Sequence, residues 1–428
     1  MQKNITDYIF ENDVLNYESH LNGFTDSIFQ SLDSKSKELN LESKIDDLLT
    51  RKIVNFSENQ AAWHPKYRRK FDSISTRKEN KSKYRNVITL GIGGSFEGPK
   101  LLIESLHDSN SDINHIFITG SDAYEFKDKV NNLNPDETIV IVSSKSFTTD
   151  ETLETLKEAI KWSSNMENFI AITANKEEAA KYNIEEIIEF DKEIGGRYSI
   201  WSDINLPALY GPKSNFDPKL FLKGGHQADL DIQNNSDYLN FIKILSFSDI
   251  WFNNFAGKNT RAILSYSWKL RSFANYAQQL EMESLGKHPN QNSEYKNTGQ
   301  IIFGGYGPTA QHSYFQLMHQ GTQNICADII ASKEDSKSLA YAQALTQTKL
   351  LSTGTEGILS EEEKINGNIP TNLFLLNKID SYTLGYLIAT WEHRTFVSSV
   401  MLEINPFDQF GVSAGKIFTK KYLEDNGG

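Results

Sequence analysis

Short apolar segments of strand length alternate with helical patterns along the middle of the chain. The first series occupies residues 86–90, 115–119, 138–143 and 169–173, and a helical pattern over 149–162 separates the last two. Alternation of this kind predicts parallel βαβ units, with helices covering both faces of a parallel sheet. The chain is therefore predicted to have an α/β fold.

The alternation stops over residues 224–236 and then resumes. The second series of apolar segments is 263–266, 301–303, 325–330 and 373–376, again with helices between. A chain of 428 residues with 38% hydrophobic content is too long for one small core. Two α/β domains in series, residues 83–235 and 236–404, are the simplest account.

The two ends of the chain have helical patterns. Residues 1–82 predict a mainly helical N-terminal segment, which ends in a charged run over 77–83 that is typical of a solvated linker. Long helices are predicted over 382–402 and 408–422, so that residues 405–428 form a C-terminal helical segment.

Composition excludes several classes of protein. The formal charge of −12 argues against a nucleic-acid partner and leaves any anionic substrate to local cations and backbone dipoles. The single cysteine, Cys326, excludes intramolecular disulfides and favours a reducing, cytoplasmic location. No run of ~18 apolar residues and no apolar leader is present, so neither membrane insertion nor export is predicted.

A glycine-rich loop follows the first predicted strand, over residues 91–99. Glycines let backbone approach a ligand closely. Phe96 replaces the third glycine of a dinucleotide fingerprint, and Pro99 follows Gly98 where a Walker A loop needs lysine. Nucleotide binding is therefore not predicted, and a tight turn without a ligand remains the alternative.

Hydroxyl side chains cluster after the third predicted strand. Residues 144–149 hold four Ser or Thr residues and one lysine, at the start of a predicted helix. Hydroxyls, free helix N–H groups and a lysine together favour a phosphate. Helix capping by Thr149 is the alternative, but it explains one hydroxyl only. Without an acidic cluster for Mg²⁺ nearby, a monophosphate is favoured over a nucleotide.

A carboxylate lies beside an amide at the end of a predicted helix. Gln279 and Glu283 are four residues apart and share a face with Tyr276, whereas Glu281 points roughly 160° away. Gly286 stops the helix, and a polar loop follows. Glu283 is thus a candidate base, with a solvated surface glutamate as the alternative.

Two cations, a glutamine and a histidine complete the candidates. Arg197 follows two glycines at a predicted helix start, where it faces either a ligand or solvent. His312 shares a helical face with His319, but the pair has no third ligand, so no metal site is predicted. Gln409 and Lys416 are seven residues apart on one face, and a lysine that merely caps the core is the alternative.

Taken together, these segments resemble the glucose-6-phosphate isomerase family. Six motifs occur in that family's order, at residues 91–95, 144–149, 195–202, 278–287, 311–312 and 408–416. The resemblance implies two sugar-isomerase-type domains, each a parallel sheet flanked by helices. It also implies a site at their junction, completed by the partner subunit of a homodimer.

The resemblance also implies roles for individual residues. Glu283 would move a proton between C2 and C1, Arg197 would neutralise the enediolate, and His312 with Lys416 would open the sugar ring. The residues implied to bind the substrate or its phosphate are Gly94, Ser95, Ser144, Lys145, Ser146, Thr149, Gly196, Gln279 and Gln409. No metal or organic cofactor is implied.

Two short segments depart from the family pattern. Phe96-Glu97 replaces the usual Asp-Leu, and residues 305–308 replace a commoner Glu-Pro-Gly-Thr run. These departures leave the preference between glucose and mannose phosphates open. The alternatives are an isomerase that also accepts mannose 6-phosphate, and a non-catalytic sugar-phosphate sensor.

Overall fold

The computed structural model describes residues 5–72, 84–107, 113–211, 214–357 and 360–426, so the predicted linker over 77–83 lies outside the described residues. Within these ranges the strands are β1 (Ile9–Glu11), β2 (Leu15–His20), β3 (Asn86–Leu90), β4 (Asn114–Ile118), β5 (Thr138–Ser143), β6 (Phe169–Thr173), β7 (Glu186–Glu189), β8 (Thr260–Ser265), β9 (Ile301–Tyr306), β10 (Ile325–Ser332) and β11 (Thr371–Leu376).

The α-helices of the same ranges are α1 (Asp26–Glu38), α2 (Leu41–Leu49), α3 (Pro65–Arg69), α4 (Gly94–Leu106), α5 (Ala123–Val130), α6 (Asp150–Trp162), α7 (Lys176–Ala180), α8 (Pro218–Asn234), α9 (Ser236–Asn254), α10 (Phe273–Ala277), α11 (Glu283–Leu285), α12 (Gly307–Gln311), α13 (Phe315–Gln320), α14 (Leu339–Thr353), α15 (Ser381–Met401) and α16 (Ser413–Asp425). Short 3₁₀ helices over Gly196–Trp201 and Asp203–Leu209 follow β7.

The first sheet is parallel throughout, in the order β4-β3-β5-β6-β7. Every residue of β5 and β6 is buried, as is usual when helices cover both faces of a parallel sheet. The four predicted strands are confirmed, to within one residue. The edge strand β7 was not predicted, because its Glu-Ile-Ile-Glu sequence lacks an apolar run.

The second sheet has the order β1-β2-β11-β10-β8-β9. Its four C-terminal strands are parallel, whereas β2 pairs antiparallel with β11, and β1 with β2. The predicted mainly helical N-terminal segment is therefore wrong over residues 9–20. In β2 buried and half-buried residues alternate, which is the period of a strand with one covered face.

Long helices connect and cover the two sheets. The interruption over 224–236 covers most of α8 and ends at the first residue of α9, and no strand of the described residues lies there. The predicted helix over 382–402 is confirmed as α15, which is buried along nearly its whole length. The last helix begins at Ser413 rather than at Asp408, after a 3₁₀ turn over Phe410–Val412. The domain limits 83–235 and 236–404 stay a prediction.

Candidate active site

A cavity of about 610 Å³ opens at the carboxyl ends of β3, β5, β6 and β7. This is the edge at which parallel sheets usually bind ligands. The loops after these strands line one side, and residues from the second half of the chain line the other. The candidate residues that the structure brings together here are Gly94, Ser95, Ser144, Lys145, Ser146, Thr149, Gly196, Gln279, Glu283, Gln409 and Lys416.

The hydroxyl cluster lies between β5 and α6. Thr149 precedes α6 but its side chain makes no capping hydrogen bond; instead its Oγ1 lies 3.1 Å from Ser144 Oγ. Capping therefore does not account for this hydroxyl. Ser146 Oγ accepts hydrogen bonds from the amide and hydroxyl of Thr148, at 3.2 and 2.7 Å. Phe147 has a φ of 53° and is buried, which anchors the turn that carries these hydroxyls.

Three lysines line the same cavity. Burial lowers the pKa of Lys145, and the nearby positive charge of Arg197 lowers it further. Lys416 reaches the cavity from α16, and Lys192 reaches it from the segment after β7. Sequence reasoning missed Lys192, which belongs to none of the motifs. The three side chains supply the positive charge that the acidic chain as a whole lacks.

Glu283 is held at the cavity by two side chains. Arg197 Nη1 donates to Glu283 Oε2 at 3.0 Å, and Gln279 Nε2 donates to Glu283 Oε1 at 3.4 Å, as expected for residues that share a helical face. The Arg197 side chain is 1% exposed, whereas that of Glu283 is 38% exposed. The carboxylate is therefore fixed in direction and still open to the cavity.

Arg197 also binds the segment that leads to α16. Its Nη1 donates to Gln409 Oε1 at 3.1 Å, and its Nη2 donates to the carbonyls of Pro406 and Asp408 at 2.7 and 2.8 Å. With Nε bonded to Ser284 Oγ at 2.9 Å, all five guanidinium N–H groups have a partner. A new acceptor in the cavity would have to replace Glu283 or Gln409 on Nη1.

Lys287 and Asp408 form a second connection behind the site, which sequence reasoning missed. Lys287 Nζ donates to the carbonyl of Glu283 at 2.8 Å and to that of Asp408, and lies 3.3 Å from Asp408 Oδ1. Asp408 Oδ2 accepts from Ser57 Oγ at 2.7 Å. Burial lowers the pKa of Lys287. This pair joins the residues just after α11 to the C-terminal segment.

The glycine loop after β3 touches the Arg197 loop directly. A Cβ added at Gly94 would lie 1.8 Å from the carbonyl oxygen of Gly196, so no other residue fits at position 94. Gly93 has a φ of 61°, and a Cβ there would lie 2.8 Å from Gln279 Nε2. These glycines thus allow the loop, the Arg197 segment and Gln279 to meet around one cavity.

His312 is placed differently from the other candidates. It is exposed just after α12 and lines neither the cavity described above nor a second cavity, of about 1000 Å³, that adjoins Glu283 and Gln409. His319 Nε2 lies 3.0 Å from Gln347 Oε1. Across the described ranges, no cluster of three or more His, Cys, Asp or Glu residues could hold a metal.

The described part of the chain contains no helix that is both long and apolar enough to cross a membrane.

Comparisons with known proteins agree with one another. A family model for phosphoglucose isomerase matches residues 66–426. The chain is 36% identical to a glucose-6-phosphate isomerase of Legionella pneumophila (91% of this chain, 85% of the relative) and 32% identical to one of Acinetobacter baumannii (97% and 86%). The crystal structure of a glucose-6-phosphate isomerase from Chlamydia trachomatis superimposes with a TM-score of 0.87 at 23% identity (98% and 90%). A hypothetical protein from Thermus thermophilus shares the fold, with a TM-score of 0.72 at 19% identity (96% and 99%).

Proposed function

Because this chain belongs to the phosphoglucose isomerase family, we propose that it interconverts glucose 6-phosphate and fructose 6-phosphate in the cavity that Glu283 lines. It is an aldose–ketose isomerase. The observation that carries the proposal is the carboxylate of Glu283, which is oriented by Arg197 and Gln279 and faces the same cavity as the hydroxyl cluster.

The phosphate binds at the hydroxyl end of the cavity. Ser144, Ser146 and Thr149 offer hydroxyl donors, the first turn of α6 offers free N–H groups, and Lys145 offers a charge. Ser95 lines the cavity beside them. Because the phosphate does not react, its binding energy positions the sugar chain against Glu283.

Proton transfer takes place at the other end of the cavity. Glu283 removes the C2 proton of the open-chain sugar and returns it to C1, the hydroxyl proton passes from O2 to O1, and Gln279 holds the sugar. Arg197 stabilises the enediolate oxygen with an Nη1 hydrogen bond. To do so, Nη1 gives up its hydrogen bond to Glu283 or to Gln409 and donates to the substrate instead. A fixed cation in such a site is worth about 3 kcal/mol. These steps use side chains alone, without a metal or organic cofactor.

Ring opening requires an acid–base group, and His312 of the same chain lies outside the cavity lining. We assign it to His312 of the partner subunit in a homodimer, with Lys416 beside it. Two observations support a second copy: His312 is exposed and outside the cavity lining, and α16 leaves Ile417, Phe418 and Tyr422 67%, 69% and 68% exposed. Contiguous exposed apolar side chains mark an interaction surface.

A cytoplasmic location is proposed on the same basis. The substrates are phosphorylated intermediates of sugar metabolism, and the one cysteine of the chain, Cys326, is buried as a free thiol. A free thiol is usual in reducing compartments.

The function is tested by a coupled assay that follows glucose 6-phosphate formation from fructose 6-phosphate, with and without a metal chelator. Glu283→Gln keeps the shape of the site and removes the base, so turnover should fall by at least ~10²-fold while sugar-phosphate binding persists. Glu294→Gln, an exposed glutamate outside the cavity lining, is the matched control. Turnover by Glu283→Gln within a few-fold of wild type would show that Glu283 is not the base.

Subunit complementation tests the shared site. Glu283→Gln and His312→Ala are each expected to be nearly inactive alone. Co-expressed, they form mixed dimers in which one cavity has both an intact Glu283 and an intact His312 from the other chain, so activity should return. Mixed dimers that stay inactive would place both groups within one chain.

A further inference from the structure

The base Glu283 follows an unusual turn of helix. Between α10 and α11 the chain forms a π-helical turn, Gln278–Met282, and Glu283 is the first residue after it. Such turns are rare and occur mostly as single turns inside α-helices, frequently at functional sites. Groups that hold this turn therefore act on the backbone position of Glu283, in addition to the contacts of its carboxylate with Arg197 and Gln279.

Glu281 holds the turn from the side opposite the cavity. Its side chain is 6% exposed, and Oε1 accepts a hydrogen bond from Trp391 Nε1 at 3.0 Å. Oε2 forms an ion pair with Arg261, whose side chain is 1% exposed. A carboxylate this deeply buried is costly unless it is paired and hydrogen-bonded, and Glu281 is both.

The partner of Glu281 is itself rigidly held. Arg261 lies on β8, with Nη1 2.6 Å from Asp249 of α9 and Nε 3.3 Å from Asp328 of β10. Arg394 of α15 binds the same two carboxylates, at 2.7 Å each. The ion pair therefore connects the π turn to the centre of the second sheet and to two buried helices.

We propose that Glu281 is a positioning residue for the reaction: its buried ion pair with Arg261 fixes the π turn and so aims Glu283 at the substrate. This inference rests on the proposed function of Glu283. At the ends of the turn, Gln278 Nε2 donates to the carbonyl of Ile302 at 2.8 Å and Met282 Sδ accepts from the amide of Ile302 at 3.4 Å. Within the turn, Leu280 is buried in the core, and Glu281 supplies the ionic contact. A displacement of about 1 Å at a reacting group can cost about 10²-fold in rate.

The test compares two variants of the same ion cluster. Glu281→Gln removes the charge that binds Arg261 but keeps an oxygen for Trp391. Asp249→Asn removes a charge from the same Arg261, on a helix that does not carry the base. Both should lower Tm. Only Glu281→Gln should lower kcat per folded molecule, by about 10-fold with an unchanged KM for fructose 6-phosphate.

Two results overturn the inference: wild-type kcat in folded Glu281→Gln, or an equal fall in kcat in Asp249→Asn.

If either variant fails to fold, two milder variants provide the test. Trp391→Phe removes one hydrogen bond to Glu281 and should lower kcat, whereas Tyr17→Phe removes a 2.6 Å bond to Asn372 at the far edge of the cluster and should not. Equal kcat in these two overturns the inference. If the wild-type enzyme does not isomerise fructose 6-phosphate, the proposed function itself is wrong. If the wild-type enzyme is active, the variants test the role of Glu281 alone.

Discussion

Replacing Gly94 with alanine should damage the site by separating its two loops. The added Cβ would lie 1.8 Å from the carbonyl oxygen of Gly196, and such contacts are essentially never shorter than 3.0 Å. The glycine loop and the Arg197 segment must therefore move apart by at least 1.2 Å. A misplacement of about 1 Å costs about 10²-fold in rate, or about 2.7 kcal/mol of transition-state stabilisation. Overpacking should also destabilise the fold by about 1–3 kcal/mol.

The assay is kcat/KM for fructose 6-phosphate, together with Tm, for Gly94→Ala and for Gly195→Ala. The second variant is the matched control, because its Cβ would lie 3.4 Å from the Tyr198 ring, an ordinary contact. We expect kcat/KM to fall about 10²-fold in the first and less than about 3-fold in the second. If Gly94→Ala keeps wild-type kcat/KM and Tm, the two loops are not in the close contact described here.

Three further predictions concern the substrate groups. The double variant Ser146→Ala with Thr149→Ala should raise the KM for fructose 6-phosphate and weaken competition by inorganic phosphate; an unchanged KM would contradict the phosphate assignment. His312→Ala should lower turnover of the cyclic sugar but spare affinity for a phosphorylated aldonate, whereas Arg197→Ala should weaken that affinity by about 1–3 kcal/mol; equal losses in inhibition assays would refute this division of roles. Burial lowers the pKa of Lys145, so its positive charge is lost as pH rises through that lowered pKa, and the KM for fructose 6-phosphate should rise over the same pH range. Lys145→Arg, which stays charged, should flatten the profile of KM against pH. An identical profile in this variant would exclude Lys145 as a phosphate-binding group.

The central parallel strands of both sheets were predictable because nearly all of their side chains are buried, as in β5, β6, β10 and β11. Short, largely apolar runs such as β5 and β6 are recognisable without information from elsewhere in the chain. By contrast, β2 was missed because its pairing partner, β11, lies about 350 residues away and its own pattern is half polar. A segment that completes a sheet from a distance has little local signal.

Sequence alone determined the family and predicted most of the candidate side chains of the cavity, because motifs are local. The hydroxyl cluster, the Gly-Gly-Arg segment and the Glu283 segment each lie within about ten consecutive residues. Tertiary structure decided which of them meet. Arg197 reaches Glu283 across 86 positions and Asp408 across 211, and His312 stays outside the cavity. Tertiary structure also buries the Glu281 side chain and leaves that of Glu283 open to the cavity. The local sequence indicates only that these two carboxylates point in different directions. Long-range contacts and burial depend on how the two sheets and their helices pack, which no local pattern encodes.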